Sequence, residues 1–297
     1  MSNPLLLVIV GSTASGKTRL AVQLAKKCNG EIVSADSRQV YCGLDIGSGK
    51  DKSEYGRVPV HLLDVASLKR TFTVARYQRL ATKAIADIIR QGKLPILCGG
   101  SGLYIDSITK GLVLPASKPD AVLRKKMRAM SLPKLATWLK RLDARGYKTI
   151  DVKNRRRVER AIETLIHTKR PLSQSRQLRP VPYRLLIIGL NVPREELKKR
   201  IANRLKTRLR HGLIKEVRQL QRQGISDKRL QNLGLEYAWV SRYLAGKLTR
   251  KELESGLTRA ICQFAKRQMT WFRRDKRINW IKTFAAAVRI IPANWRK

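Results

Sequence analysis

At 297 residues and 43% apolar content, the chain is long enough for one large domain, or a domain with an insertion, around a sizeable core. Lys and Arg number 64 against 21 Asp and Glu, a formal charge of +43. An enzyme of small anionic metabolites needs no such excess, so a polyanion is the expected partner, nucleic acid before an anionic membrane surface.

In chain order, Leu5–Val10 reads as a buried strand and Lys17–Lys27 as an amphipathic helix. A second strand is expected at Glu31–Ala35, ending at Asp36, and a third at Val58–Val65. A helix from about Thr73 to Arg90 leads into a fourth strand, "LPILCGG", and a further helix starts at "SGLYIDSITKGL". Apolar strands separated by helices predict an α/β fold with a parallel sheet covered on both faces. From Lys118 to Pro180 the strand signals vanish and 19 Lys and Arg face 5 Asp and Glu, which predicts a helical insertion. The expected division is a core of residues 1–117 and 181–297 and an insertion of residues 118–180. "YRLLIIGL" is expected to complete the sheet, and the rest reads as helical, with one long stretch opening at Pro193 and another at Thr249.

No apolar run of about 18 residues and no signal-like start occur, so a soluble, cytoplasmic protein without membrane contact is expected. The four cysteines, Cys28, Cys42, Cys98 and Cys262, are scattered and read as reduced thiols, not as a zinc site.

The chemistry starts at Gly11-x-x-x-x-Gly16-Lys17-Thr18, a complete phosphate-binding P-loop between a strand and a helix. Its glycines turn backbone N–H groups toward phosphate oxygens, and the helix N-terminus adds partial positive charge. Lys17 is placed to reach the terminal phosphates and Thr18 to bind Mg²⁺. ATP- or GTP-dependent phosphoryl transfer is the usual use of such a loop. Against it, the fourth strand ends in Gly99-Gly100-Ser101-Gly102 with no acidic residue, although Asp64 could serve a metal through water. Asp36 falls at the carboxyl end of its strand, the edge where open α/β sheets bind ligands. It can cap the following turn, or orient and deprotonate a substrate group.

The sequence resembles the tRNA dimethylallyltransferases in "GSTASGKT", "SADSRQVYCGLDIGSGK", "PVHLLDV", "PILCGGSGLYIDSI", "NRRRVERAIET", "GLIKEVRQL" and "TRAICQFAKRQMTWFRRD". These blocks stand in the family's order over nearly the whole chain. The resemblance implies a P-loop NTPase-like α/β core with an all-helical insertion that grips tRNA. It implies transfer of a dimethylallyl group from dimethylallyl diphosphate to N6 of the adenosine beside the anticodon, position 37, with pyrophosphate leaving. Gly11, Ser12, Thr13, Ala14, Ser15, Gly16, Lys17 and Thr18 are then the diphosphate cradle, with Mg²⁺ on Thr18. Asp36, Thr13 and Lys17 become the catalytic residues. Asp36, Ser37, Arg38, Gln39, Ser101, Arg124, Arg156, Arg157 and Arg160 are implied to contact the anticodon stem-loop, with the protein a monomer.

Helix spacing puts Val158, Ala161, Ile162 and Leu165 on one face and Arg156 and Arg160 opposite, as a plain solvated basic face would also do. The helix near the C-terminus sets Leu257, Ile261, Phe264 and Ala265 as an apolar stripe, with Lys266, Arg267, Arg273 and Arg274 off it to grip the anticodon stem. Trp271 and Phe272 read as core. Relatives usually carry a base after an Ile-Gly-Tyr turn, where this chain has "LQNLGLEYAW" and Glu236; Lys228 and Arg229 are the nearby candidates to complete the pyrophosphate site. The rival readings are a P-loop kinase or an adenylate isopentenyltransferase acting on a free nucleotide, and an ATP-regulated RNA-binding protein.

Overall fold

The computed structural model describes residues 3–114, 120–175 and 178–295. The chain divides into two compact units, Met1–Thr109 with Pro182–Lys297, and Lys110–Val181. The junction expected at 117/118 lies outside the described residues.

The first unit begins with β1 (Leu5–Gly11), α1 (Lys17–Lys27), β2 (Gly30–Ser34), β3 (Val60–His61), α2 (Val74–Arg90), β4 (Leu94–Gly99) and α3 (Gly102–Thr109). All seven residues of β1 are buried because successive side chains feed two cores. Leu6, Val8 and Val10 pack into one cluster, and Leu5, Leu7 and Ile9 into the other. The Thr73 hydroxyl accepts the Arg76 N–H and starts α2.

The helical unit holds α4 (Ala121–Arg128), α5 (Leu132–Leu142), α6 (Ala144–Tyr147), α7 (Arg155–Thr168) and α8 (Leu172–Ser175). Its own core joins Met127, Leu135, Leu139, Val158, Ala161, Ile162, Leu165 and Leu172. Asn154 caps α7 by accepting the N–H of Arg157.

The first unit resumes with β5 (Arg184–Leu190), α9 (Arg194–Arg210), α10 (Leu213–Arg222), α11 (Asp227–Leu233), α12 (Leu235–Leu244), α13 (Arg250–Phe272), β6 (Ile278–Ile281) and α14 (Phe284–Ile290). The sheet is wholly parallel, in the order β3-β2-β4-β1-β5-β6.

Three expectations need correction. The third strand is cut from eight residues to Val60–His61, because Leu62 and Asp64 take φ of 67° and 56°, which no strand accommodates. β5 does not complete the sheet: the short "INWI" of β6 pairs beyond it, Ile187 opposite Ile278 through Leu190 opposite Ile281. The helical stretch after Pro193 is two helices, turned at Gly212 with φ of 99°. By contrast, α13 starts where Thr249 and Glu252 form a capping box, and Phe272 is buried with Trp271 packed against the core. No helix among the described residues is long and apolar enough to cross a membrane.

Candidate active site

The carboxyl ends of β1, β2 and β4 open onto a cleft of about 410 Å³ in the first unit. Its floor is the P-loop. Gly16, at φ of 91°, turns the chain into α1, and Ala14 also takes a left-handed φ of 59°. Ser15 Oγ is buried and has no hydrogen-bond partner among the described residues, a polar atom left over in a loop shaped for a polar ligand. Lys17 Nζ donates to the carbonyl of Ser12 at 2.6 Å. Burial pushes the Lys17 ammonium down to about 8, with Asp36 among the anionic neighbours that oppose the shift. Thr13 and Thr18 line the same cleft.

Asp36 follows β2 directly into the cleft. Its Oδ1 accepts the N–H of Arg38 at 2.8 Å and that of Gln39 at 3.4 Å, an Asx turn that replaces any helix. Among the described residues nothing donates to Oδ2, so one carboxylate oxygen holds the turn and the other keeps its acceptor capacity. Both readings of Asp36, cap and base, are therefore compatible in one side chain. Ser101 Oγ accepts the N–H of Ser37 at 2.9 Å, and Gln39 accepts from Ser34 and donates to the carbonyl of Gly49 at 3.1 Å. The cleft thus gathers Thr13, Lys17, Thr18, the whole of Asp36–Gln39, and Ser101.

The opposite wall was not legible in the sequence. Arg204 and Arg208, one turn apart on α9, line the cleft in the place foreseen for Lys228 or Arg229. Burial, and then the neighbouring charge of Arg208, bring Arg204 down to about 10. Arg208 Nη1 donates to Glu236 Oε1 at 2.9 Å and to the carbonyl of Gly47 at 3.2 Å. Lys228 is exposed, and Arg229 is spent elsewhere, on the carbonyls of Leu68 and Arg70 and over the ring of Tyr41. Asp64 is likewise committed: it pairs with the buried Lys50 and with Lys52 at 2.8 Å.

The segment carrying Gly47 and Gly49 is held from behind. Glu216 accepts three successive backbone N–H groups, Asp45 at 3.0 Å, Ile46 at 2.6 Å and Gly47 at 3.0 Å, and the hydroxyl of Tyr237 at 3.0 Å. Glycine suits position 49, where φ is 67° and the guanidinium ends of Arg204 and Arg208 lie close above the backbone. On the far side, α13 contributes Ile261, Phe264, Arg267 and the buried Gln268. Of the stripe expected there, Leu257, Ile261 and Ala265 are core, while Phe264 faces the cleft. A single helical amide among bases gives no periodicity signal, which is why Gln268 escaped notice.

Arg124, Arg156, Arg157 and Arg160 belong to the helical unit. Arg124 holds Glu163 through Nε and Nη2, and Arg160 Nη1 reaches the same carboxylate at 3.2 Å. Burial alone would raise the fully buried Glu163, but these two guanidinium groups hold it below the usual carboxylate range. Arg157 pairs with Asp151 at 3.3 Å, and Arg156 is exposed.

Residues 39–275 match the family model described as IPP transferase. Among curated proteins the chain is 44% identical to tRNA dimethylallyltransferase 2 of Citrifermentans bemidjiense, over 94% of this chain and 91% of that one. It is 45% identical to tRNA dimethylallyltransferase 2 of Treponema denticola, over 93% and 95%. A crystal structure of the tRNA isopentenylpyrophosphate transferase from Bacillus halodurans, 36% identical, superposes with a TM-score of 0.72 over 97% of this chain and 94% of that one. A wholly parallel sheet with a P-loop at the end of β1 accords with these matches, and the chain belongs to the IPP transferase family.

Proposed function

We propose that this chain is a tRNA prenyltransferase that moves a dimethylallyl group from dimethylallyl diphosphate to N6 of the adenosine next to the anticodon, position 37, and releases pyrophosphate. One observation carries the reading: the P-loop and Asp36 line the same cleft, a phosphate cradle beside an available carboxylate oxygen.

Negative charge grows on the departing diphosphate as the allylic C–O bond breaks. The P-loop amides, Lys17 and Arg204 line the cleft to bind that charge. An anion there also offsets the desolvation of the buried Lys17 and Arg204 cations. The exocyclic N6 is a weak nucleophile, since its lone pair is delocalised into the ring. Asp36 Oδ2 can accept a hydrogen bond from it, orient it, and take its proton as the N–C bond forms. The base must leave its stack to enter, and Arg38, Gln39 and Ser101 line its path.

Among the described residues no three His, Cys, Asp or Glu side chains group as metal ligands. Thr18 lines the cleft beside the P-loop, and Mg²⁺ keeps several waters and takes only one or two protein ligands beside phosphate oxygens. Thr18 would hold the ion, and when bound it would neutralise charge on the leaving group. The exposed arginines of the helical unit, Arg156 and Arg157, together with Arg124 and Arg160, are proposed to contact the tRNA backbone.

The test is nucleoside analysis of tRNA after incubation with the protein, Mg²⁺ and dimethylallyl diphosphate. Prenylated adenosine at position 37, dependent on Lys17 and Asp36, is expected. Unmodified tRNA alongside a prenylated free nucleotide would overturn the reading.

A further inference from the structure

Gln268 of α13 is buried against the cleft, and both ends of its amide are engaged. Oε1 accepts the N–H of Thr13 at 2.8 Å, and Nε2 donates to the carbonyl of Gly100 at 2.9 Å. The next residue extends the path. Ser101 Oγ accepts the N–H of Ser37 at 2.9 Å, and the Ser101 N–H donates to the carbonyl of Ala35 at 3.1 Å. Asp36 lies between these two anchored residues. One amide and one serine therefore connect the phosphate loop to the carboxylate. The glycines of "GGSG" make room for it: a Cβ on Gly100 would stand 2.3 Å from Gln268 Nε2, and one on Gly102 would stand 2.4 Å from the Trp271 ring.

We infer that Gln268 is a positioning residue for prenyl transfer, setting the separation and angle between the diphosphate cradle at Thr13 and the base-orienting carboxylate of Asp36. The inference rests on the prenyl-transfer reading. Two reactants held in one cleft react fast only when their carriers are rigid with respect to each other, and a misplacement of about 1 Å can cost about 10²-fold in rate. The site needs an acceptor for Thr13 and a donor for Gly100 at once, which a neutral amide provides. An ionised carboxylate offers acceptors alone and would repel the Gly100 carbonyl, while a protonated carboxyl offers both.

This dictates the experiment. Gln268→Met keeps the length of the side chain and loses both hydrogen bonds. Its single-turnover rate at saturating tRNA and dimethylallyl diphosphate is expected to fall about 10- to 100-fold, with tRNA affinity within about twofold of wild type. Gln268→Glu carries a signature that a packing role would not produce: its rate relative to wild type should climb as pH is lowered and the new carboxyl protonates. Lys17 from α1, Asp36 and Arg38 after β2, Cys98 of β4, Arg267 of α13 and the α9 and α12 charges line the cleft in both proteins, and they cancel to first order in that ratio. Gly100→Ala displaces the same amide without altering it; the double variant with Gln268→Met should be no slower than the slower single. Thermal melting establishes that each variant is folded. Should Gln268→Met fail to fold, the pH ratio of Gln268→Glu and the rate of Gly100→Ala decide. Wild-type turnover in Gln268→Met, or in Gly100→Ala, or a pH-independent ratio in folded Gln268→Glu, would overturn the inference. Failure of the wild-type protein to prenylate tRNA at all would instead overturn the reading beneath it.

Discussion

Arg208 and Glu236 form an ion pair of 2.9 Å in the wall of the cleft, each side chain only 12% exposed. Glu236 belongs to α12 and its partner is supplied from α9, so the pair joins two helices of the wall. Burial raises the Glu236 carboxyl, and Arg208 opposes that rise. Arg208 also braces Gly47, so the pair fixes the wall, while Arg204 lines the cleft beside it.

Removing one member of a buried pair strands the other. Glu236→Ala should therefore cost on the order of 3 kcal/mol, read by urea unfolding. Replacing both partners with Leu and Met should cost less than the single change. Equal losses in the single and double variants would contradict a coupled pair.

Lys17 gives a prediction of opposite sign. Its folded value of about 8 lies below the ordinary 10.5, so between these pH values the unfolded chain binds more protons than the empty folded protein. The charged, desolvated ammonium thus costs stability below about pH 8, and the cost is relieved as pH rises toward 10.5. Lys17→Met should stabilise the ligand-free protein at pH 7 by on the order of 1–3 kcal/mol, with a smaller gain at pH 10, while abolishing transfer. Unfolding curves at the two pH values provide the check.

Asp36→Asn separates the two tasks of that side chain. The amide oxygen can still accept from Arg38 and Gln39, so the turn and the melting temperature should be preserved. Proton acceptance is lost, and kcat should fall about 10²-fold or more. Near-normal turnover would leave Asp36 a turn residue only.

How much of this was readable in advance follows from sequence distance. β1, the P-loop and Asp36 are local: a run of apolar residues, two glycines five apart, an acid at a strand end. β3 was overestimated because left-handed φ at Leu62 and Asp64 leaves no mark in an apolar run. β6 was missed because four residues cannot display alternation. Arg204, Arg208 and Gln268 come from helices some 190 to 250 residues beyond the P-loop, where one more base or amide looks like solvated surface. Only the packing of α13 against β1, and of α9 against α13, turns them inward.

The same distinction governs the helical unit. Arg124→Ala deprives the buried Glu163 of its two-point partner and should destabilise by on the order of 2–3 kcal/mol, whereas Arg157→Ala, paired with an exposed Asp151, should cost less than about 1 kcal/mol. Arg156→Ala should reduce the slope of log tRNA affinity against log salt by about 0.7–0.9, one phosphate contact. Thermal melts and a salt titration of the three variants distinguish structural from RNA-facing arginines.

The most direct test of the central claim is the fate of the phosphates during turnover. With tRNA, Mg²⁺ and equal concentrations of dimethylallyl diphosphate and ATP, one pyrophosphate should appear per prenylated adenosine, with ATP intact. Release of ADP or inorganic phosphate in step with product would contradict a cradle that holds a leaving group.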